Sequence, residues 1–241
     1  MLVCNMVRRG PGPAGAAHGR RAGVVAMAAA LLIGVAGGRP AGGLDADDVV
    51  RKVQERYDAT RDFTADVTQE MTVASLGKTM TAHGTLAFKR PGKLRLELKD
   101  EEPQIVVADG RTLWFYQPAE NQVLKAPFEA AFRSTTPISF LTGVGRIADD
   151  FTAQLSDVGA ADPATLTLTL TPRTPKGDLE KLRLTVARDN FEIRGAEIHD
   201  PLGNVSRLRF EHIRPNTGLD EDRFVFQVPP GVDVLAAPLG E

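Results

Sequence analysis

The segment Gly84–Lys125 reads GTLAFKRPGKLRLELKDEEPQIVVADGRTLWFYQPAENQVLK, and it decides the fold class. Apolar and polar residues alternate in short runs, with turn signals such as Pro91-Gly92 and Asp109-Gly110 between them. Alternate residues of a strand face the same side of a sheet, so the pattern predicts consecutive antiparallel strands with one apolar face. The residues that we place on that face are Leu86, Phe88, Leu94, Leu96 and Leu98.

One residue on the apolar side is charged. Arg90 has the same parity as Leu86 and Phe88. A guanidinium in that position is costly unless something accepts its hydrogen bonds. The ordinary interpretation is that the arginine stem lies along the apolar surface while the head reaches water. The functional interpretation is a contact with whatever covers this face.

The charges of the chain are unevenly distributed around a net charge of −2. Residues 1–43 carry five Arg and neither Lys nor an acidic residue. Of the 29 basic residues, 24 therefore remain against 31 acidic ones, which gives the rest of the chain a net charge of −7. This balance argues against nucleic acid or an anionic membrane surface as the main partner. Basic patches on a partner protein would suit it better.

The N-terminus has the pattern of a signal peptide. Arg20-Arg21 precede the uncharged apolar run Ala22–Gly38, and small residues up to Gly43 follow. We therefore predict that residues 1–43 are an N-terminal extension and signal peptide, that residues 44–241 form a single domain, and that this domain is periplasmic. An uncleaved anchor and twin-arginine export are the alternatives. Cys4, the only cysteine, precedes the apolar run, so it cannot be a lipid anchor.

The domain begins with a predicted helix. Asp45–Asp58 has acidic residues in its first turn, where they complement the helix dipole. The spacing of its apolar residues gives one stripe for packing against a sheet. That stripe consists of Val49, Val50, Val53 and Tyr57.

The remainder of the domain alternates with a period of two, apart from one insertion. A sheet this long must curl, split or close, because strands twist. We expect a mainly β fold: a curled, antiparallel, unclosed β-barrel of about 10–11 strands, with the N-terminal helix and a short helical lid on the concave face. The lid comes from the insertion Pro127–Asp149. The predicted strands are 63–73, 78–88, 93–98, 104–108, 112–116, 122–126, 165–171, 182–187, 191–199, 205–213 and 224–228.

Catalysis has little support in this sequence. His83, His199 and His212 are far apart and lack the spacing of a zinc motif or a nucleophile elbow. The acidic residues at positions 45–48 suit a helix N-terminus better than a metal site. We expect no catalytic residue, no metal and no cofactor.

Several short motifs follow one another in a characteristic order, and by them the chain resembles the periplasmic outer-membrane lipoprotein carrier proteins of the LolA type. The resemblance covers about Val53 to Val232. At Leu94 and Leu96 the chain has leucine where the family often has aromatic residues. The motifs are Phe63-Thr64-Ala65 with Thr68-Gln69, Gly84-x-Leu86, Lys89-Arg90-Pro91-Gly92, Val107-x-Asp109-Gly110-x-x-Leu113-Trp114-x-Tyr116, Asn121-Gln122-Val123, Thr136-Pro137-x-x-x-Leu141 and Phe224-x-Phe226-x-x-Pro229-x-Gly231-Val232.

The resemblance implies a monomeric chaperone that carries acylated lipoproteins. It would take them from an ABC-type release complex in the inner membrane and pass them to an acceptor at the outer membrane. It also implies that Arg90 points inward and latches the lid through backbone carbonyls. The lid residues would be Pro137, Ile138, Phe140 and Leu141. The acyl-chain cavity would be lined by Val67, Met71, Leu86, Phe88, Leu94, Leu96 and Leu98.

Three other functions remain open at the level of sequence. A sensor or regulatory domain could use the same half-barrel to bind a lipid or a membrane protein, although such proteins usually carry a second C-terminal domain. A membrane-anchored lipoprotein acceptor of this fold would need a cysteine after the apolar run. A carrier for another amphiphile, such as a glycolipid, is compatible with every feature of the sequence.

Overall fold

The computed structural model describes residues 44–100, 102–128, 146–156, 162–174 and 179–236. These residues all belong to one compact unit, Gly42–Glu241. The predicted signal peptide and the predicted lid residues Pro137, Ile138, Phe140 and Leu141 lie outside the described residues.

Helix α1 (Ala46–Ala59) starts where its sequence provides a cap. The side chain of Asp45 accepts a hydrogen bond from the backbone N–H of Asp48 at 2.7 Å, which satisfies one of the free N–H groups of the first turn. The predicted stripe is confirmed, because Val49, Val50, Val53 and Tyr57 are its buried residues. The helix lies one residue later than the predicted Asp45–Asp58.

The strands form one sheet of twelve in the order β12-β6-β5-β4-β3-β2-β1-β11-β10-β9-β8-β7. All neighbours are antiparallel except β12 and β6. The predicted curled, unclosed antiparallel sheet is confirmed. A short helix α2 (Ile147–Asp150) leads into β7. The strands are β1 Asp62–Val73, β2 Lys78–Lys89, β3 Lys93–Leu98, β4 Gln104–Asp109, β5 Thr112–Gln117, β6 Gln122–Pro127, β7 Phe151–Ser156, β8 Thr165–Pro172, β9 Lys181–Ala187, β10 Ile193–His199, β11 Val205–Pro215 and β12 Asp233–Ala236.

The strand prediction was wrong at three places. It omitted β7 and β12, and it assigned a strand to 224–228. Phe224 instead ends a 3₁₀ turn, and Phe226 packs its ring 5.6 Å from that of Trp114. Side chains of this segment therefore alternate because they pack on the sheet, without a hydrogen-bonded partner strand.

The register places the apolar residues of the central strands on one side of the sheet, which we call the inner face. Leu86 stands opposite Ala65 on one side and Leu96 on the other. Leu94 stands opposite Phe88. The apolar residues predicted from alternation are thus brought together across strands that are distant in sequence.

The opposite side, which we call the outer face, is polar over β8–β11. Glu197 lies between Arg183 and Arg207 on neighbouring strands and accepts a 2.7 Å hydrogen bond from Nε of Arg207. His199 Nε2 lies 2.5 Å from the same carboxylate. Burial raises the pKa of Glu197, but the hydrogen bonds of Arg207 and His199 outweigh it, so the net pKa is lowered. The carboxylate therefore stays ionised within a ladder of opposite charges.

Gly84 occupies a close approach between two strands. It stands opposite Leu98 of β3, and a Cβ added to it would lie 1.8 Å from the backbone oxygen of Glu97. A backbone atom cannot rotate away as a flexible side chain can, so only glycine allows β2 and β3 to pair here.

We expect Gly84→Ala to lower the free energy of unfolding by about 2 kcal/mol, because overpacking against backbone forces the strands apart. Urea unfolding of the variant measures this. Thr81→Ala, at an exposed position of the same strand, is the matched control and should change stability little. Equal stability of the two variants would contradict the close approach.

Candidate functional site

The inner face carries a continuous apolar cluster, and the predicted cavity residues lie on it. Val67, Leu86 and Leu94 are buried within the cluster, and Leu96 packs against it. Phe88 and Leu98 are buried, whereas Met71 is half-buried. Their role in holding acyl chains stays a prediction. The buried members of the cluster are Ala65, Val67, Leu86, Leu94, Ala108, Leu113, Ala126, Phe128 and Phe210.

Helix α1 covers part of this face. The ring of Tyr57 lies 6.0 Å from that of Phe88, which in turn lies 5.4 Å from Phe63. An apolar crevice of about 60 Å³ remains between α1 and strands β1 and β11, where Val53 and Phe210 are among its lining residues. Ligand pockets usually enclose about 300–1,000 Å³, so the crevice is too small for an acyl chain.

Two cationic side chains tie α1 to the turn between β9 and β10. Arg56 forms an ion pair of 3.4 Å with Glu192, at the edge of the crevice. Lys52 Nζ lies 4.6 Å from the ring centroid of Phe191, a cation–π distance. Both contacts must break if α1 is to move away from β10 and β11.

Arg90 ties the other side of α1 to the sheet. Its guanidinium donates to the backbone oxygen of Tyr57 at 3.0 Å and to Asp58 Oδ1 at 3.1 Å. The guanidinium carbon also lies 4.3 Å from the centre of the Tyr57 ring. The Tyr57 oxygen also accepts from the backbone N–H of Thr60 at 3.0 Å, so Arg90 is its second donor. The last carbonyls of a helix carry partial negative charge, and a cation here complements the helix dipole.

The environment of this contact is apolar. Burial raises the pKa of the Tyr57 phenol, although the charge of Arg90 opposes the rise. The side chain of Arg90 itself is 29% exposed. In such surroundings the hydrogen bonds of the guanidinium are stronger than on an open surface.

One buried donor of the Arg90 guanidinium has no acceptor among the described residues. This donor is Nε. A buried polar group without a partner is uncommon in folded proteins, and an ordered water or another acceptor can satisfy it. Since the predicted lid lies outside the described residues, the contact of Arg90 with it stays a prediction.

Sequence reasoning missed Lys52 and Arg56. They lie four residues apart along one flank of the apolar stripe of α1, a pattern that marks the border of a buried helix face. Their partners Phe191 and Glu192 carry no comparable signal in the sequence. Only the docking of α1 brings these four residues together.

The outer face contains a much larger concavity, of about 970 Å³. Threonine hydroxyls and paired arginine and acidic side chains line much of it, Arg183 and Glu197 among them. Within the described ranges, no group of three or more His, Cys, Asp or Glu side chains could hold a metal ion. No helix in those ranges is long and apolar enough to cross a membrane.

Comparison with known proteins gives a consistent result. The sequence model of a family described as "Outer membrane lipoprotein carrier protein LolA" matches residues 58–227. An outer-membrane lipoprotein carrier protein of Dechloromonas aromatica is 32% identical over 176 residues, which cover 73% of this chain and 82% of that protein. One from Chromohalobacter salexigens is 30% identical over 173 residues, covering 72% and 80%.

A solved structure shares the fold. An uncharacterized conserved protein from Thermus thermophilus superposes with a TM-score of 0.50, covering 79% of this chain and 98% of its own. The sequences are 13% identical. The likeness therefore concerns the curled sheet alone.

We expect Arg90→Leu to loosen α1, because the variant loses its hydrogen bonds to the helix C-terminus. A charge-assisted hydrogen bond contributes about 1–3 kcal/mol, so amide hydrogen exchange in α1 should accelerate roughly tenfold. The control is Arg61→Leu, at an exposed position near the same helix end. Unchanged exchange in the Arg90 variant would show that the guanidinium does not hold α1.

Proposed function

The chain belongs to the outer-membrane lipoprotein carrier protein (LolA) family, and we propose that it binds the acyl chains of lipoproteins on its inner face and carries them from the inner to the outer membrane. The observation that carries the proposal is the apolar cluster that runs across β1–β6 and β11. Part of it is covered by a helix that is held at its flanks by polar contacts.

The setting of the proposed function is the periplasm. The N-terminal sequence pattern and the family support export, with residues 44–241 as the exported domain. The proposed partners are an ABC-type release complex in the inner membrane and an acceptor at the outer membrane. The net charge of −7 after residue 43 suits basic surfaces on both. The chain acts as a monomeric binding protein and not as an enzyme.

Loading requires the inner face to open. The crevice under α1 holds about 60 Å³, and a second depression of about 470 Å³ beside α1 is lined largely by charged side chains such as Arg51 and Arg173. Entry of an acyl chain beneath α1 therefore requires a covering element to move. The candidates are α1 and the lid with Pro137, Ile138, Phe140 and Leu141. Burying the acyl chain contributes about 0.8 kcal/mol per methylene, which compensates for the separation.

Arg90 is the proposed latch in this cycle. It already donates to the last turn of α1, and its buried Nε is available for a backbone carbonyl of the lid. When acyl chains separate the covering elements from the sheet, these hydrogen bonds break. They re-form on release and so favour delivery of the cargo.

The function is tested with spheroplasts. We expect the purified protein to release newly made lipoproteins from the inner membrane into the supernatant. Leu96→Glu should reduce release at least tenfold, because it places a carboxylate among the apolar side chains of the inner face. Thr81→Glu, at an exposed site of the neighbouring strand, should release normally. Absence of release by the unaltered protein, with no acylated species bound to it, would refute the carrier function.

The latch is tested by delivery and not by uptake. Arg90→Leu should bind lipoproteins in spheroplasts but transfer them several-fold more slowly to outer-membrane vesicles, because the closed form is no longer favoured. Transfer is followed by immunoblotting of the vesicle fraction. Arg61→Leu is the matched control. Normal transfer by the Arg90 variant would contradict the latch while leaving the carrier function intact.

A further inference from the structure

Two turns lie side by side at one end of the sheet. One joins β1 to β2 at residues 74–77, and the other joins β10 to β11 at residues 200–204. They are neighbours because β1 pairs with both β2 and β11. The backbone N–H of Ala74 donates to Asn204 Oδ1 at 3.0 Å, so the two turns are linked directly. We call this pair of turns the tip.

Each turn of the tip presents one leucine to solvent. Leu76 is 72% exposed and Leu202 is 67% exposed. Within the part of the chain that the structure describes, no other large apolar side chain is as exposed, and Val225 follows at 53%. Single exposed leucines are ordinary on protein surfaces, but two on linked turns form a small apolar point.

The second turn is built to hold its leucine outward. Asp200 is buried, and its Oδ1 accepts from the backbone N–H groups of Leu202 at 2.9 Å and Asn204 at 2.8 Å. Its Oδ2 accepts from Asn204 Nδ2 at 2.7 Å. Gly203 then takes a positive φ of 83°, which glycine adopts without strain. This network fixes the backbone while it leaves Leu202 without a packing partner from the turn itself.

The surroundings of the two leucines favour lipid over protein. The turns themselves are small, Ala-Ser-Leu-Gly and Asp-Pro-Leu-Gly-Asn, and their one acidic residue, Asp200, is buried with its carboxylate hydrogen-bonded inside the turn. The exposed charged residues beside the turns are Lys78 and Glu180, and the carboxylate of Glu180 pairs with Lys181 Nζ at 3.6 Å. A stable protein interface needs about 800 Å² per partner, which two separate leucines cannot supply. The boundary between headgroups and acyl chains accepts isolated apolar side chains beside a cation.

We propose that the tip touches the surface of a phospholipid bilayer, with Leu76 and Leu202 inserted below the headgroups. The tip lies at the opposite end of the sheet from the turn that carries Arg90, because β2 runs from one to the other. It is therefore separate from the latch, and the proposal does not rest on the carrier function. Two leucines give weak, reversible binding, which suits a protein that visits a membrane and leaves it.

The experiment is flotation of the exported protein, residues 44–241, with vesicles of phosphatidylethanolamine and phosphatidylglycerol at about 3:1. We expect the protein to float with the vesicles, and Leu76→Ser/Leu202→Ser to float at least tenfold less. Leu235→Ser is the matched control, because Leu235 is 48% exposed on β12, away from the tip. Apolar insertion predicts that added salt does not weaken the binding, since the acidic body of the protein is repelled by phosphatidylglycerol.

A fluorescent label at the tip tests membrane insertion without relying on the serine variants. Residues 44–241 contain no cysteine, so Leu202→Cys is labelled alone with an environment-sensitive fluorophore, and Leu235→Cys provides the control. The Leu202 label should shift to shorter wavelength with vesicles, and the Leu235 label should not. Equal flotation of the double variant, or no shift at Leu202, would overturn the proposal. Normal lipoprotein release by the double variant in spheroplasts would show that the tip and the carrier function are separate.

Discussion

The separation of one apolar sheet face from water is the constraint on which the rest of this structure depends. The sheet has twelve strands, and alternation puts most of their large aliphatic side chains on the inner face. A closed barrel would bury such a face completely, but among the residues that the structure describes β7 and β12 are the edges of an open sheet. The face must therefore be covered by separate elements, and any element that covers it can in principle also leave it.

The contacts of α1 show how a cover can be specific without being permanent. Burial of its apolar stripe stabilises docking but does not fix the orientation of the helix. Arg90 and Arg56 fix that orientation through hydrogen bonds and an ion pair at opposite flanks. These polar contacts contribute only a few kcal/mol, because water satisfies the same groups once the contacts break. The helix is thus well placed when closed and is not prevented from opening.

Alternation and turn residues allowed most of the sheet to be predicted, because both depend on local sequence. These signals failed where side chains pack on the sheet without pairing as a strand, or where a strand pairs without alternating side chains. Phe224 and Phe226 alternate as in a strand, but they only pack on the outer face. Strand β12 pairs in parallel with β6, next to the hydrogen bond from Asn121 Nδ2 to the backbone oxygen of Gly231. The parity of Arg90 located it on the apolar side, but its partner Tyr57 could not be predicted. That contact joins residues 57 and 90 through the docking of a helix, which no local pattern reports.

The amounts of apolar surface involved explain why a carrier of this design could both load and unload. The four buried side chains of α1 contribute at most about 6–12 kcal/mol to its docking, at about 1.5–3 kcal/mol each. An acyl chain recovers about 0.8 kcal/mol per methylene, so burying roughly 8–15 methylenes offsets the loss of α1 from the sheet. In the proposed loading cycle, the free energy lost by undocking α1 and the free energy gained by burying the acyl chain are then close to balance. Contacts worth a few kcal/mol, such as those of Arg90 with the end of α1, are large enough to decide the direction of that cycle.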